Sequence, residues 1–138
     1  MKPLELAEVM IASWVMGGDP QPIPMTPGWL DRMLHRAIQR GALGEEGNRL
    51  RFVDTRIGLQ CLEAEGLIEW SQRAQLVGAP GPGQGSAPIR IGPRVARRIL
   101  REQKIQEEVA CRWGQILREA SVEIEMELRG FSPSIEEY

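Results

Sequence analysis

Between Thr55 and Arg101 apolar runs alternate with turn-forming residues in an order that few small folds accept. Asp54 and Thr55 are N-cap candidates, and Ile57, Leu59, Cys61 and Leu62 supply the apolar positions of a helix expected over 54–66. Gly66 stands where a left-handed residue would end that helix. Leu67-Ile68-Glu69-Trp70 then reads as a short extended run, and Ile89-Arg90-Ile91 as a second. A polar excursion rich in Gly and Pro separates them. Pro93, favoured in the first turn of a helix, opens another helical stretch. The expected order is helix, strand, long loop, strand, helix.

Each residue type has a physical reason to be there. The helix needs an apolar stripe to bury, and Ile57, Cys61 and the Leu59/Leu62 pair provide one at three-to-four spacing. A glycine at the helix end lets the chain reverse without a Cβ clash, so the strand folds back on the same core.

These residues resemble the winged-helix family of DNA-binding proteins. Leu59, Leu62, Glu63, Gly66, Leu67 and Ile68 match the pattern Leu-x-x-Leu-Glu-x-x-Gly-Leu-Ile that ends the family's recognition helix. Arg90, Ile91 and Pro93 match the strand returning from the β-hairpin wing, while Gly92 replaces a usual threonine and Val95 a usual glycine. The match covers 54–101 and consists mostly of core and turn residues. Other small α+β domains also use Leu and Gly at a helix–strand joint.

Along the rest of the chain, residues 3–16 are expected to form a first helix. Leu4, Leu6, Val9, Met10, Ile11, Trp14, Val15 and Met16 make it apolar nearly all round its second half, so it is buried on more than one side. Pro20, Pro22, Pro24 and Pro27 mark a loop or extended arm. A second helix is expected from about Thr26 to Gly41, with Thr26 as N-cap and Pro27 at its first position. Leu30, Met33, Leu34, Ala37 and Ile38 form its stripe; Asp31, Arg32, His35, Arg36 and Arg40 take the wet face. Gly44-Glu45-Glu46-Gly47 reads as a turn, and Leu50-Arg51-Phe52-Val53 as a short strand or a helical turn. The two glycines make 42–54 poor helix material, where a winged helix should place a short helix.

From Pro93 one helix is expected through about Leu128, with a phase slip between Ile99 and Ile105 and with Gly114 as a point of kinking or division. Val122 to Leu128 also alternates in the manner of a strand, but length and good helix formers favour helix. A helix of that length outruns one small domain, and its stripe needs either a second copy or the first helix of its own chain. The expected class is therefore mainly α with a small β-hairpin, an α+β fold. Residues 1–92 would form a winged-helix-like domain, 93–129 a dimerisation helix, and 130–138 a loose acidic tail.

The chain carries a formal net charge of −2. Residues 1–104 hold 14 Lys/Arg and 11 Asp/Glu, a net of +3, while 105–138 hold 3 and 8, a net of −5. The mildly basic body suits DNA without requiring it. Cys61 and Cys111 lack metal-ligand spacing and are expected to be buried small hydrophobes. No leader-like opening and no membrane-length apolar run is seen, so a reducing cytoplasm is the expected location. The glycines of the 78–88 loop fit neither the dinucleotide nor the P-loop pattern. His35, the only histidine, has no nucleophile beside it, and carboxylate pairs such as Glu45/Glu46 and Glu107/Glu108 sit on solvated segments. No enzyme and no cofactor is expected.

Two functional expectations follow. The resemblance implies a DNA-binding regulator acting as a homodimer on duplex DNA. Thr55, Arg56 and Gln60 would be base or phosphate readers, and Arg49, Arg51, Arg73 and Arg90 would hold phosphates. Val109, Trp113, Leu117 and Ile124 would join two copies so that paired helices meet half-sites one turn apart. The alternative is a winged-helix-like module that binds another protein and no DNA. The uncharged 78–88 loop, Asp54, Glu63, Glu65, Glu69 and the acidic tail favour it.

Overall fold

The computed structural model describes residues 1–81 and 85–130. Residues 82–84 of the expected flexible wing and 131–138 of the expected loose tail lie outside the described residues. The chain is mainly helical, with two small antiparallel two-stranded sheets and a long C-terminal helix, an α+β fold. Among the described residues the elements run α1 (Pro3–Met16), β1 (Ile23–Pro24), α2 (Trp29–Gln39), α3 (Gly44–Asn48), β2 (Phe52–Thr55), β3 (Gly58–Cys61), α4 (Ala64–Arg73), β4 (Ser86–Ala87), α5 (Pro93–Glu102) and α6 (Glu107–Leu128).

The first helix is central, which explains its apolar circumference. Leu6, Ala7, Val9, Met10, Ile11, Ala12 and Trp14 are all buried because α4, α5 and α6 each pack against α1. At the crossing of α1 and α6 the backbones touch. A Cβ added at Gly114 would lie 1.9 Å from the carbonyl oxygen of Ser13, and one added at Gly17 would lie 2.6 Å from the carbonyl carbon of Gly114. Arg118 then closes the end of α1. Its guanidinium donates to the Trp14 carbonyl at 3.1 and 2.8 Å and lies 5.1 Å from the centre of the Trp14 ring.

The expected single helix from Pro93 is two helices. The phase slip between Ile99 and Ile105 marks the real break, where Lys104 takes a left-handed φ of 58° between α5 and α6. Gly114 is the crossing point described above and lies within α6, without dividing it. The alternating stretch Val122–Leu128 is helical. Its stripe is covered within the chain: α6 packs on both α1 and α2, and Leu117 and Ile124 are buried there. Neither residue is free to meet a second copy.

The largest departure falls on the stretch that was expected to be a recognition helix. Residues 52–61 form a hairpin in which Phe52 faces Cys61, Val53 faces Gln60, Asp54 faces Leu59 and Thr55 faces Gly58. Apolar residues at 57, 59 and 61 recur every second position, the strand period; the sequence reading grouped them with Leu62 as a helical stripe. Arg56 and Ile57 make the two-residue turn, closed by Gly58 at φ 116°. The helix lies further on. Ala64, Leu67 and Ser71 recur at the helical spacing on the buried side of α4, so the expected strand at 67–70 lies inside a helix. Gly66 is in that helix too, is not left-handed, and a Cβ there would meet nothing within 4 Å.

Smaller corrections concern the second helix. α2 begins at Trp29, and the amide of Gly28 donates to Asp31 Oδ2 at 3.0 Å, replacing the expected Thr26 cap. Asp31, expected on the wet face, is buried by that capping role. Gly41, at φ 94°, follows the helix end as expected. The expected turn at 44–47 is the short helix α3. Beyond α4 the chain makes a second hairpin. Val77 bridges Ile89, the amide of Gly78 donates to the Pro88 carbonyl, and that of Arg90 to the Leu76 carbonyl. β4, on the returning arm, also pairs with β1.

Candidate nucleic-acid interface

The seven residues expected to meet DNA are scattered over the first hairpin, the segment after α3, the end of α4 and the base of the second hairpin. Thr55, Arg56 and Gln60 belong to the β2–β3 hairpin. Val53, Thr55 and Gln60 share its outward face, since Phe52, Leu59 and Cys61 of the other face turn toward α2 and the core. His35 on α2 meets the Phe52 ring edge-on at 5.0 Å. The Thr55 hydroxyl is spent on the turn: it donates to the Gly58 carbonyl at 2.7 Å and accepts from the Ile57 amide at 3.3 Å. Arg56 and Ile57 project from the tip, and Ile57 is 82 % exposed.

Three of the four expected phosphate-holding arginines are already engaged by carboxylates. Arg49 pairs with Glu46 at 3.1 Å, Arg51 with Glu63 at 2.8 Å, and Arg73 with Glu69 at 3.5 Å while stacking 5.8 Å from the Trp70 ring centre. Burial raises the Glu63 pKa. However, the Arg51 backbone amide, at 2.7 Å, and its guanidinium outweigh that and hold the carboxyl below the ordinary range. Among the described residues, Arg56 and Arg90 make no ion pair. Arg90 lies at the base of the second hairpin, its guanidinium packed over Gly78.

The outward side of α4 is formed by Glu65, Glu69, Trp70, Gln72 and Arg73. Two carboxylates against one arginine give it no excess of positive charge. Beside α4 a cleft of about 290 Å³ opens between its first turns, the start of α1 and α3, lined among others by Leu6, Leu50, Leu62 and Leu67. Of the residues expected to pair two copies, Val109 and Trp113 are half-buried, and the Trp113 ring lies 3.2 Å from where a Cβ of Gly44 would be.

The densest cationic group lies outside the residues expected to meet DNA. Arg94, Arg97, Arg98 and Arg101 are all exposed on α5, opposite its buried Ala96, Ile99 and Leu100. The i, i+3, i+4, i+7 spacing of these arginines is plain in Arg-Val-Ala-Arg-Arg-Ile-Leu-Arg, interleaved with the apolar positions that bury the helix. Arg97 pairs with Glu107 at 3.0 Å, and Arg98 lies near Glu8 of α1, whose pKa burial raises and Arg98 lowers.

Cys61 is buried, as expected, and burial pushes its thiol up to about 11. Cys111 is only half-buried. Among the described residues, no cluster of His, Cys, Asp and Glu could hold a metal ion, and no helix is long and apolar enough to cross a membrane. Comparison with protein-family models, with curated proteins and with solved structures finds no match for this chain.

Proposed function

We propose that this chain is a DNA-binding regulator of winged-helix type. The observation that carries the reading is the order and pairing of its elements. The helix α1, the strand β1, the helix α2 and the short helix α3 lead through an inserted hairpin to α4, and a second hairpin follows directly. The strand between α1 and α2 pairs with the returning arm of that second hairpin. The resemblance implies a recognition helix followed by a hairpin wing and a further helix, and α4, the second hairpin and α5 stand in that order, with α4 in place of 54–66. Base reading then moves to Gln72 and Arg73 on α4 and to Arg56 and Gln60 on the inserted hairpin, the exposed or half-exposed polar groups there.

A homodimer stays within the proposal on a different face of α6. Val122 and Met126 are exposed and lie symmetrically about residue 124. In an antiparallel pair each would face the other's counterpart, and Glu119 would face Arg129 of the second copy.

The decisive experiment is fluorescence anisotropy of a labelled duplex at low salt, followed by salt titration. A DNA binder weakens steeply as salt rises, because each neutralised phosphate releases counterions. Absence of binding at low salt overturns the proposal. A protein-binding module would then be the better reading, favoured by the carboxylates on α4 and by the apolar cleft beside Leu62 and Leu67.

A further inference from the structure

We infer that α5 is the surface that grips the duplex backbone, a role that rests on the DNA-binding reading above and assigns it to residues outside α4 and both hairpins. From Arg90 to Arg112 the chain carries seven cations, Arg90, Arg94, Arg97, Arg98, Arg101, Lys104 and Arg112, against Glu102, Glu107 and Glu108. The segment is therefore +4 in a chain of net −2. Its charge is also ordered. Arg94, Arg97 and Arg101 line one cleft of about 340 Å³ between α5 and the start of α6, above Leu100 and Ile105, with Glu107 at its edge.

This arrangement suits phosphates in three ways. Arg94 and Arg101 are two helical turns apart, about 10 Å along the axis. Over that length a duplex presents roughly six phosphate charges, so a line of guanidiniums meets a line of anions. The buried Leu100 and half-buried Ile105 under the cleft exclude water from one side, which strengthens each guanidinium–phosphate contact. Among the described residues, Arg94 and Arg101 make no ion pair, so no protein contact must break before they bind. Arg97 shares itself with Glu107, and Arg98 lies near Glu8.

An acidic protein surface is the other polyanion that could lie here. Protein interfaces are anchored by exposed aromatic or large apolar side chains. Among the described residues those are Val53, Ile57, Leu62, Trp70, Val122, Met126 and Leu128 with Met1, and none belongs to α5. A face of arginines without an apolar anchor fits a backbone of phosphates better than a protein partner.

The test uses the full chain and a labelled random-sequence duplex, with anisotropy read across a salt series. The variants are Arg94→Gln/Arg101→Gln, Arg94→Lys/Arg101→Lys and Arg40→Gln. The double Gln variant should weaken binding roughly 10–100-fold at moderate salt and lower the slope of log K against log salt by about two. The double Lys variant should keep the slope, and Arg40→Gln should match the parent because Glu123 already occupies that arginine. Circular dichroism confirms folding of each variant, and all three positions are exposed. If the parent binds and the double Gln variant keeps its slope, the inference is overturned while the DNA-binding reading stands. If the parent binds no duplex, both fall. If polyglutamate binds the parent and competes duplex away at equal charge concentration while the double Gln variant loses both, the face is selective for no phosphate and the inference is overturned.

Discussion

Replacing Gly114 by Ala should unfold the crossing of α1 and α6, although the same change is favourable in most helices. The new methyl would sit 1.9 Å from the Ser13 carbonyl oxygen and 2.8 Å from the amide nitrogen and Cα of Gly17. All of these are backbone atoms, so no side chain can rotate away. Restoring ordinary contact requires the two helices to separate by about 1.5 Å at that point, and a gap of 0.5–1 Å already forfeits a quarter to a half of the dispersion attraction between packed atoms. Overpacking costs about 1–3 kcal/mol where side chains can adjust, and a backbone clash lies at or beyond that upper end. The helix-propensity gain from Gly to Ala returns at most about 1 kcal/mol. A net loss of about 2 kcal/mol or more is a large share of the typical 5–15 kcal/mol of a folded domain. For a chain of this size it should lower the thermal midpoint by roughly 7 °C or more. Gly66→Ala is the matched control. Gly66 also lies inside a helix, but its Cβ would meet nothing within 4 Å, so that variant should gain about 0.5–1 kcal/mol. Both are read by circular dichroism during heating and in urea. Equal midpoints for the two variants would show that α1 and α6 do not cross at Gly114.

Two further predictions concern titrating groups. With its thiol near 11, Cys61 is protonated at neutral pH and shielded, so maleimide at pH 7.5 should label Cys111 first and Cys61 only after unfolding in urea; early labelling of both contradicts the burial. Glu63 has a folded pKa below its unfolded value, so its contribution to stability is complete above the unfolded value of about 4.5 and fades as pH falls through the folded one. Glu63→Gln should therefore destabilise the chain at pH 7 and converge with the parent as pH falls through the lowered folded value, and a difference that does not depend on pH would refute the Arg51 pairing as its source.

How much of this was legible beforehand depended on period and length. The helix at 3–16 declared itself because eight apolar residues within two faces leave no wet side, and the structure buries it among three helices. The break after Glu102 was visible as a phase slip, but its cause, a left-handed lysine, was not. The hairpin at 52–61 was misread because Ile57, Leu59 and Cys61 fit a helix only when Leu62 is added to them. Phe52-Val53-Asp54-Thr55, rich in β-forming residues, should have been joined to that alternation. Gly66 was misread because a glycine before an apolar run resembles a helix end, and only packing shows whether the chain turns. The arginines of α5 were legible by spacing alone. What no local pattern could supply was tertiary: that α6 would find α1 and α2, and that Glu46, Glu63 and Glu69 would claim the nearby arginines.

The placement of α1 also has a consequence for how the protein is made. Its most intimate partner is α6, and 90 residues separate Met16 from Glu107. On a ribosome adding 5–20 residues per second, α1 waits roughly 5–20 s for the helix that covers it. During that time the end of α1 that meets α6, at Ser13, Trp14 and Gly17, is open to water or to whatever else is sticky nearby. Translation speed and chaperone supply should therefore govern the yield of this chain more than its final stability does, and slowing synthesis upstream of Glu107 should increase the share recovered in aggregates.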